Sequence, residues 1–295
     1  MSVIAIRDLT KYYGKFPGIK GLNLRVDPGE IYGFLGPNGA GKSTTIRLML
    51  NLLRPSSGEV KLFDKNVKTH YGQIFQFIGN VPGELQLYDN LTGRSFLIYM
   101  NRFSRKEPKF REKLIHAFDL HPSDLNKKIK YYSHGMKQKL GIIQALQDDP
   151  DLVIMDEPSE GLDPINKGVL YAYLKHLKSK GKTIFFSSHY LAEVEKICDR
   201  VGLVRKGRLI AEESISALKE KMVRRMEVTF VQPLPKEAFC RVNMKILEQD
   251  AHRLVLDVSG DINPLLRQIA GYEVENLVFP EPSLEQTFMT FYEKE

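Results

Sequence analysis

No apolar run in this chain approaches the roughly 20 residues that a membrane-crossing helix requires. The longest candidates, residues 152–155 and 184–186, are a fraction of that length, so no bilayer-spanning element is expected. Cysteine is scarce as well. Cys198 and Cys240 are the only two, too few for a disulfide framework and not spaced for metal. Both are expected to be small buried hydrophobes in a reducing compartment. Residues 1–9 lack the uninterrupted apolar core of a signal peptide, because Arg7 and Asp8 interrupt an alternating pattern. Cytoplasmic residence is the expectation. Internal repeats and low-complexity tracts are missing too.

What is present is the composition of an ordinary globular chain: 295 residues, 42% hydrophobic and 27% charged, with enough length for one large and one smaller domain. Lys and Arg number 43 against 36 Asp and Glu, a net charge of +7. The basic clusters Lys127, Lys128, Lys130 and Lys219, Lys221, Arg224, Arg225 read as solvated faces, with anionic lipid headgroups or nucleic acid as the alternative partner.

Residues 3–9 and 21–26 alternate apolar and polar side chains and read as antiparallel strands. Residues 31–35 form a short apolar strand that runs into a glycine-rich loop and then a helix over 44–53. From 91 to about 147 the periodicity is helical, with Phe96, Leu97 and Met100 on one face and Leu140, Ile143 and Leu146 on another, which predicts a helical subdomain. Buried strands over 152–155 and 183–187 flank a helix over 166–179, an alternation that argues for a largely parallel sheet. A hairpin over 201–211 and a charged connecting helix over 216–225 follow, placing a domain boundary near Ala217. Beyond it, strands over 227–231, 242–248, 253–258 and 273–279, with helices over 264–270 and 284–292, predict a small α+β domain.

Three constellations carry chemistry. Gly36, Pro37, Asn38, Gly39, Ala40, Gly41, Lys42, Ser43 and Thr44 fit the pattern G-x-x-x-x-G-K-[ST] between a strand and a helix. Glycine lets successive backbone N–H groups turn inward around phosphate oxygens, and the helix adds its positive end. Lys42 is placed to reach the β- and γ-phosphates and the Ser43 hydroxyl to coordinate Mg²⁺. Asp156 and Glu157 follow four apolar residues where a buried parallel strand ends, the edge at which such sheets bind ligands. Asp156 is the candidate Mg²⁺ ligand and Glu157 the residue that orients or deprotonates the attacking water. His189 ends the next strand on the same edge, within reach of a γ-phosphate. Tyr13 is the candidate for stacking on adenine, although paired tyrosines such as Tyr12 and Tyr13 also serve as strand packing.

Ser133 and Gly135 open a helix that runs through Leu146, a second positive helix end. One chain needs one nucleotide cradle, so this end is expected to meet phosphate held by a second chain, with plain Ser capping as the alternative.

With these motifs in this order, residues 3 to about 217 closely resemble the nucleotide-binding subunits of ATP-binding-cassette transporters. The resemblance rests on the glycine loop, Asp156-Glu157, the signature around Ser133 to Met136, the segment Ser159-Glu160-Gly161-Leu162-Asp163 and His189. It implies an α/β fold: a P-loop NTPase cassette over 1–216, with a mixed sheet core, an antiparallel β subdomain and a helical subdomain, followed by an accessory domain over 217–295. It further implies ATP with Mg²⁺ as the ligands and a head-to-tail dimer. In that dimer one subunit's glycine loop and the other's signature sandwich ATP, and Asp163 couples the two sites. A separate transmembrane permease subunit is the implied second partner. The form Tyr132-Ser133-His134-Gly135-Met136 and the ending at 281–288 are similar to the branch that exports drugs, peptides, sodium or polysaccharides. A location on the inner face of the cell membrane follows from that resemblance. Cassette proteins of ribosomes or nucleic acid usually carry two cassettes or coiled-coil insertions, so nucleic acid is not an expected partner. Two departures stand out: His134 and Met136 where the best-known signature has glycine and glutamine, and Gly83 where the family usually has glutamine or glutamate. Glycine cannot supply the side chain that senses Mg²⁺ and the membrane subunit there. Glu84 is the neighbour placed to substitute, and altered coupling is the alternative.

Overall fold

In the computed structural model, residues 2–104, 106–220, 224–235, 239, 245–258 and 261–280 are described. Cys240, Lys221, the start of the strand expected from 242, the helix expected over 284–292 and the motif at 281–288 lie outside them. Two compact units divide the chain, Met1–Ile215 and Ser216–Glu295.

The first unit opens with a long hairpin, β1 (Ile4–Tyr13) and β2 (Phe16–Val26), followed by β3 (Ile31–Leu35) and α1 (Lys42–Met49). Next come β4 (Ser57–Leu62), β5 (Lys65–Asn66), α2 (Val67–Ile74) and β6 (Ile78–Val81). Four helices follow: α3 (Gly93–Ser104), α4 (Arg111–Ala117), α5 (Pro122–Leu125) and α6 (His134–Leu146). The unit continues with β7 (Leu152–Asp156), α7 (Pro164–Ser179), β8 (Thr183–Ser188), α8 (Leu191–Ile197), β9 (Arg200–Arg205) and β10 (Arg208–Ser214).

Among the described residues the central sheet has the order β10-β9-β3-β8-β7-β6. Every neighbouring pair is parallel except β9 with β10. β3, β7 and β8 are buried along their whole length, as strands covered on both faces must be. One face of β3 presents Tyr32 and Phe34 to Phe185 of β8, with ring centroids 5.8 and 5.4 Å apart. That seam joins a core shared with Ile4, Ile6, Leu22 and Leu24 of the antiparallel sheet β2-β1-β4-β5. On the other face Gly33 lies against Val194 of α8 and Cys198, where a Cβ would approach the Cys198 sulfur to 2.9 Å. Burial holds the Cys198 thiol well above its usual pKa, so it is an inert packing group.

The strands β4 and β6 and the helices α2 and α8 carry too few periodic residues to be read from the sequence. Another difference lies at the entry to the second unit. The helix expected over 216–225 ends as α9 (Ile215–Glu220), and Arg224 and Arg225 open β11 (Arg224–Phe230). Alternation decides this, because Met226, Val228 and Phe230 all bury one face. The second unit continues with β12 (Lys245–Gln249), β13 (Arg253–Val258), α10 (Asn263–Ile269) and β14 (Val274–Val278). Its sheet is antiparallel in the order β12-β13-β11-β14, and Leu265 and Ile269 of α10 share a core with Val228, Leu254 and Leu256.

Candidate active site

The glycine loop leaves the end of β3 and feeds α1. At Gly41, the residue before the helix, φ is 107° and ψ 8°, a left-handed conformation that side chains rarely adopt. A Cβ there would also lie 2.6 Å from Ile19 Cδ1. At Gly36 a Cβ would collide with the Val204 carbonyl oxygen, so the loop's entry requires glycine as well. Among the described residues no side chain caps α1, and no acid occupies its first turn, which leaves the amides around Lys42, Ser43 and Thr44 at a positive helix end. Lys42 is buried and folds back over the loop, donating to Gly36 O at 2.7 Å and Pro37 O at 3.2 Å.

The acids stand opposite. β7 and β8 are parallel neighbours in register Asp156↔Ser187, which sets Asp156, Glu157 and His189 on one edge. Ser187 Oγ donates to Asp156 Oδ1 at 2.6 Å and accepts from the Glu157 N–H at 3.1 Å. Glu157 itself has φ 50°, left-handed backbone in a non-glycine residue. Such strain costs about 1–3 kcal/mol and persists where the surroundings over-determine it. Its carboxylate joins both flanks: Lys42 Nζ lies 3.0 Å from Oε1 and His189 Nδ1 lies 2.6 Å from Oε2. No hydrogen bond reaches Oε1 among the described residues, so the lysine holds it by charge alone. Lys42 is thus already engaged by an acid.

Tyr13 also reaches the loop, its hydroxyl 3.4 Å from Thr44 Oγ1. Ser133, Gly135 and Asp163 do not: among the described residues none has a hydrogen bond or ion pair to the glycine loop. The open helix end expected at Ser133 is capped, because Ser133 Oγ accepts from the Met136 N–H at 3.2 Å. A Cβ on Gly135 would stand 2.9 Å from Gly161 O, which sets the signature beside the segment that ends in Asp163. Gln138 of α6 ties the same two segments, donating to Pro158 O at 2.9 Å. Asp163 caps α7, accepting from Asn166 N at 2.9 Å and Asn166 Nδ2 at 2.6 Å. Those bonds, led by the backbone one, hold its pKa below the usual carboxylate value.

Position 83 faces the acids directly, since a Cβ on Gly83 would lie 3.1 Å from Asp156 Oδ2. Glu84 is exposed. Sequence reasoning gave no role to Ser187, Ser188 or Glu193, all buried, and placed the buried Ser159 only as the start of the segment that ends in Asp163. The signal available was a pair of hydroxyls ending an apolar strand just before His189; Glu193 gave none.

The family profile described as ABC transporter matches residues 19–160. Over 297 aligned residues the chain is 33% identical to the bacitracin transport ATP-binding protein BcrA of Bacillus licheniformis, covering 98% of this chain and 96% of that protein. The chain belongs to the ATP-binding subunits of ABC transporters. It is accordingly an ATPase subunit of a transport system. This ABC subunit is also 33% identical to the Nod factor export ATP-binding protein I of Rhizobium etli, covering 98% of this chain and 93% of that protein. Among solved structures it is similar to the ATP-binding subunit of an ABC transporter, with a TM-score of 0.69, 28% identity and coverage of 75% of this chain and 93% of the other. A dimeric ATP-binding cassette with ADP and Pi, at TM-score 0.64 and 23% identity, covers 72% of this chain and 98% of its own, and shares the fold.

Proposed function

We propose that the first unit binds ATP in the loop 36–44 and hydrolyses it with Glu157 and His189, and that it drives a separate transmembrane permease. The observation that carries this reading is Glu157 held between Lys42 and His189 at 3.0 and 2.6 Å at the mouth of a parallel sheet. ATP binding exchanges the acid for phosphate as the partner of Lys42. Glu157 is thereby released to orient and deprotonate water, with His189 holding its second oxygen and reaching the γ-phosphate. Tyr13 supports the adenine from its place beside Thr44. Ser43 and Asp156 are the metal ligands. An aliphatic hydroxyl and a buried carboxylate are the hard oxygen donors that Mg²⁺ takes, and Ser187 fixes the carboxylate's orientation. Magnesium bound there supplies neutralisation of charge on the β- and γ-phosphoryl oxygens.

Ser133, Gly135 and Asp163 act on the nucleotide of a second cassette subunit. Among the described residues they form no hydrogen bond or ion pair to this chain's own loop, and this, with the dimeric state of the cassette of similar fold, supports that assignment. The names of the relatives, bacitracin transport and Nod factor export, support an exporter and a position on the inner face of the cell membrane. In this reading residues 1–216 form the cassette and 217–295 an accessory domain. Titrating ATP with magnesium into the full-length protein is expected to release or absorb heat, and the same sample to liberate phosphate. Folded protein that shows neither refutes the assignment.

A further inference from the structure

Glu193 lies in α8, outside every motif described above, and is a buried carboxylate at 8% exposure. Its two oxygens are fully engaged. Oε2 accepts from Ser159 Oγ at 2.7 Å and from Ser188 Oγ at 3.0 Å, and Oε1 accepts from Lys167 Nζ at 2.9 Å. Burial alone would raise its pKa, but the bonds from Ser159, Lys167 and Ser188 bring it below the usual glutamate value, so it is an anion at neutral pH.

Those three donors come from places that matter. Ser159 is two residues past Glu157, and Ser188 is the residue before His189. Lys167 belongs to α7, the helix that Asp163 caps. Both sides of His189 are held from this one group. On one side the Ser188 hydroxyl, while donating to Glu193, accepts from the Tyr190 N–H at 2.9 Å and closes the backbone around the histidine. On the other, the Tyr190 ring lies against the His189 ring with centroids 3.8 Å apart, and the Lys167 ammonium sits over Tyr190 at 5.6 Å.

We propose that Glu193 is a positioning residue for hydrolysis: it locks the segments carrying Glu157 and His189 to one another, and through Lys167 it transmits the placement of α7 to His189. A loop capping its own helix needs neither a buried acid nor an ammonium from a third element. The inference rests on the hydrolytic roles proposed above for Glu157 and His189. Of its members Ser188 alone has a hydrogen bond to residues 36–44 among the described residues, its backbone carbonyl accepting from the Gly36 N–H at 3.3 Å. Changes to the side chains of Glu193 and Lys167 leave that backbone bond in place, so loss of the lock spares the nucleotide cradle but displaces the acid–histidine pair.

The test compares full-length parent, Glu193→Gln, Lys167→Met and the double variant by steady-state ATP hydrolysis, calorimetric ATP affinity and melting midpoint. In Glu193→Gln the amide oxygen still accepts from one serine, but its nitrogen cannot accept from Lys167. Turnover is expected to fall about 10- to 100-fold with ATP affinity within about twofold, since a displacement near 1 Å costs that much in rate and nothing in ground-state binding. Lys167→Met, on the solvent side of the network, is expected to lose about threefold to tenfold, and the double variant no more than Glu193→Gln alone, because both act along one route. Turnover within twofold of the parent in Glu193→Gln overturns the proposal, as does a loss matched by an equal loss of ATP affinity. Should Glu193→Gln fail to fold, unchanged turnover in Lys167→Met overturns it instead. A parent protein without magnesium-dependent turnover sinks the hydrolytic reading itself, whereas an active parent with an indifferent Glu193→Gln removes only the inference.

Discussion

Among the described residues, charge is buried in the first unit and not in the second. In the first, Lys42, Asp156 and Glu193 are buried and Glu157 nearly so, each in contact with another charge or a hydroxyl at the edge where β3, β7 and β8 end. In the second, the pairs Arg253–Glu227, Arg253–Glu248 and Arg225–Asp257 lie across the sheet's outer face, and both members of the first pair are about two-fifths exposed. Taking an ion pair out of water costs several kcal/mol and returns little net stability, whereas an exposed pair contributes about 0–1 kcal/mol. Buried charge kept at such a cost supports the proposed catalytic site at that edge; charge on the outer sheet marks a surface. The second unit is held by its apolar core of Met226, Val228, Phe230, Leu254 and Leu256.

The contrast breaks most visibly at Glu157. Glu157→Gln removes the proposed general base and is expected to lower turnover by about 10²- to 10⁴-fold. ATP affinity is expected to stay or rise, because phosphate no longer competes with an acid for Lys42. Phosphate-release kinetics beside calorimetry separate the two quantities, and normal turnover in this variant refutes the assignment. Next in size is Leu256→Ala in the second unit, where a residue 1% exposed loses its packing. About 2–5 kcal/mol of that unit's unfolding free energy should go, read as an earlier denaturant transition, with ATP affinity unchanged. A loss of nucleotide binding in Leu256→Ala would erase the distinction between a chemical and a packed unit. Lys42→Ala follows. A desolvated phosphate loses a charge-assisted partner worth about 1.5–3 kcal/mol, so ATP affinity is expected to fall roughly 10- to 100-fold. An unchanged dissociation constant there contradicts the phosphate role.

How much of this was legible in the sequence depends on whether a residue's job is local. The glycine loop reads at once, because tight turn, helix start and lysine are consecutive residues whose meaning needs no tertiary context. Asp156 and Glu157 read nearly as well, because an apolar run announces the end of a buried strand. The strand β6 did not read: it is four residues long, and Gly79 and Asn80 break its pattern. The Ser133 cap reads in either direction from sequence, and its geometry shows the hydroxyl turned onto Met136 N. Glu193 was invisible. Its partners Ser159, Ser188 and Lys167 lie 34, 5 and 26 residues away, and burial of a carboxylate contradicts every local expectation for a glutamate on a short helix. The charged helix expected to continue to Arg225 shows the same limit, since the burial of Met226, Val228 and Phe230 in a sheet outweighed the local helical pattern.

The smallest expected effect sharpens the comparison through acid. Glu227 has its pKa lowered from 4.5, chiefly by the side-chain hydrogen bond from Arg253, and the buried Glu193 is lowered from the same value. For a depressed carboxylate the stabilisation is fully present above the unfolded value and disappears as pH falls through the folded one, so both contributions vanish only below about 4.5. They differ in size. Arg253→Ala removes an exposed partner and is expected to move the melting midpoint by no more than about one or two degrees at neutral pH. Glu193→Gln removes a buried charged acceptor, and a cost of roughly 1–2 kcal/mol corresponds to a few degrees. Melting curves of both variants and the parent at neutral pH and below pH 4 check this: each variant's deficit should shrink toward zero in acid, with the Glu193 deficit the larger at the start. An Arg253 deficit equal to or larger than that of Glu193 would mean that exposed charge stabilises this protein as much as buried charge does.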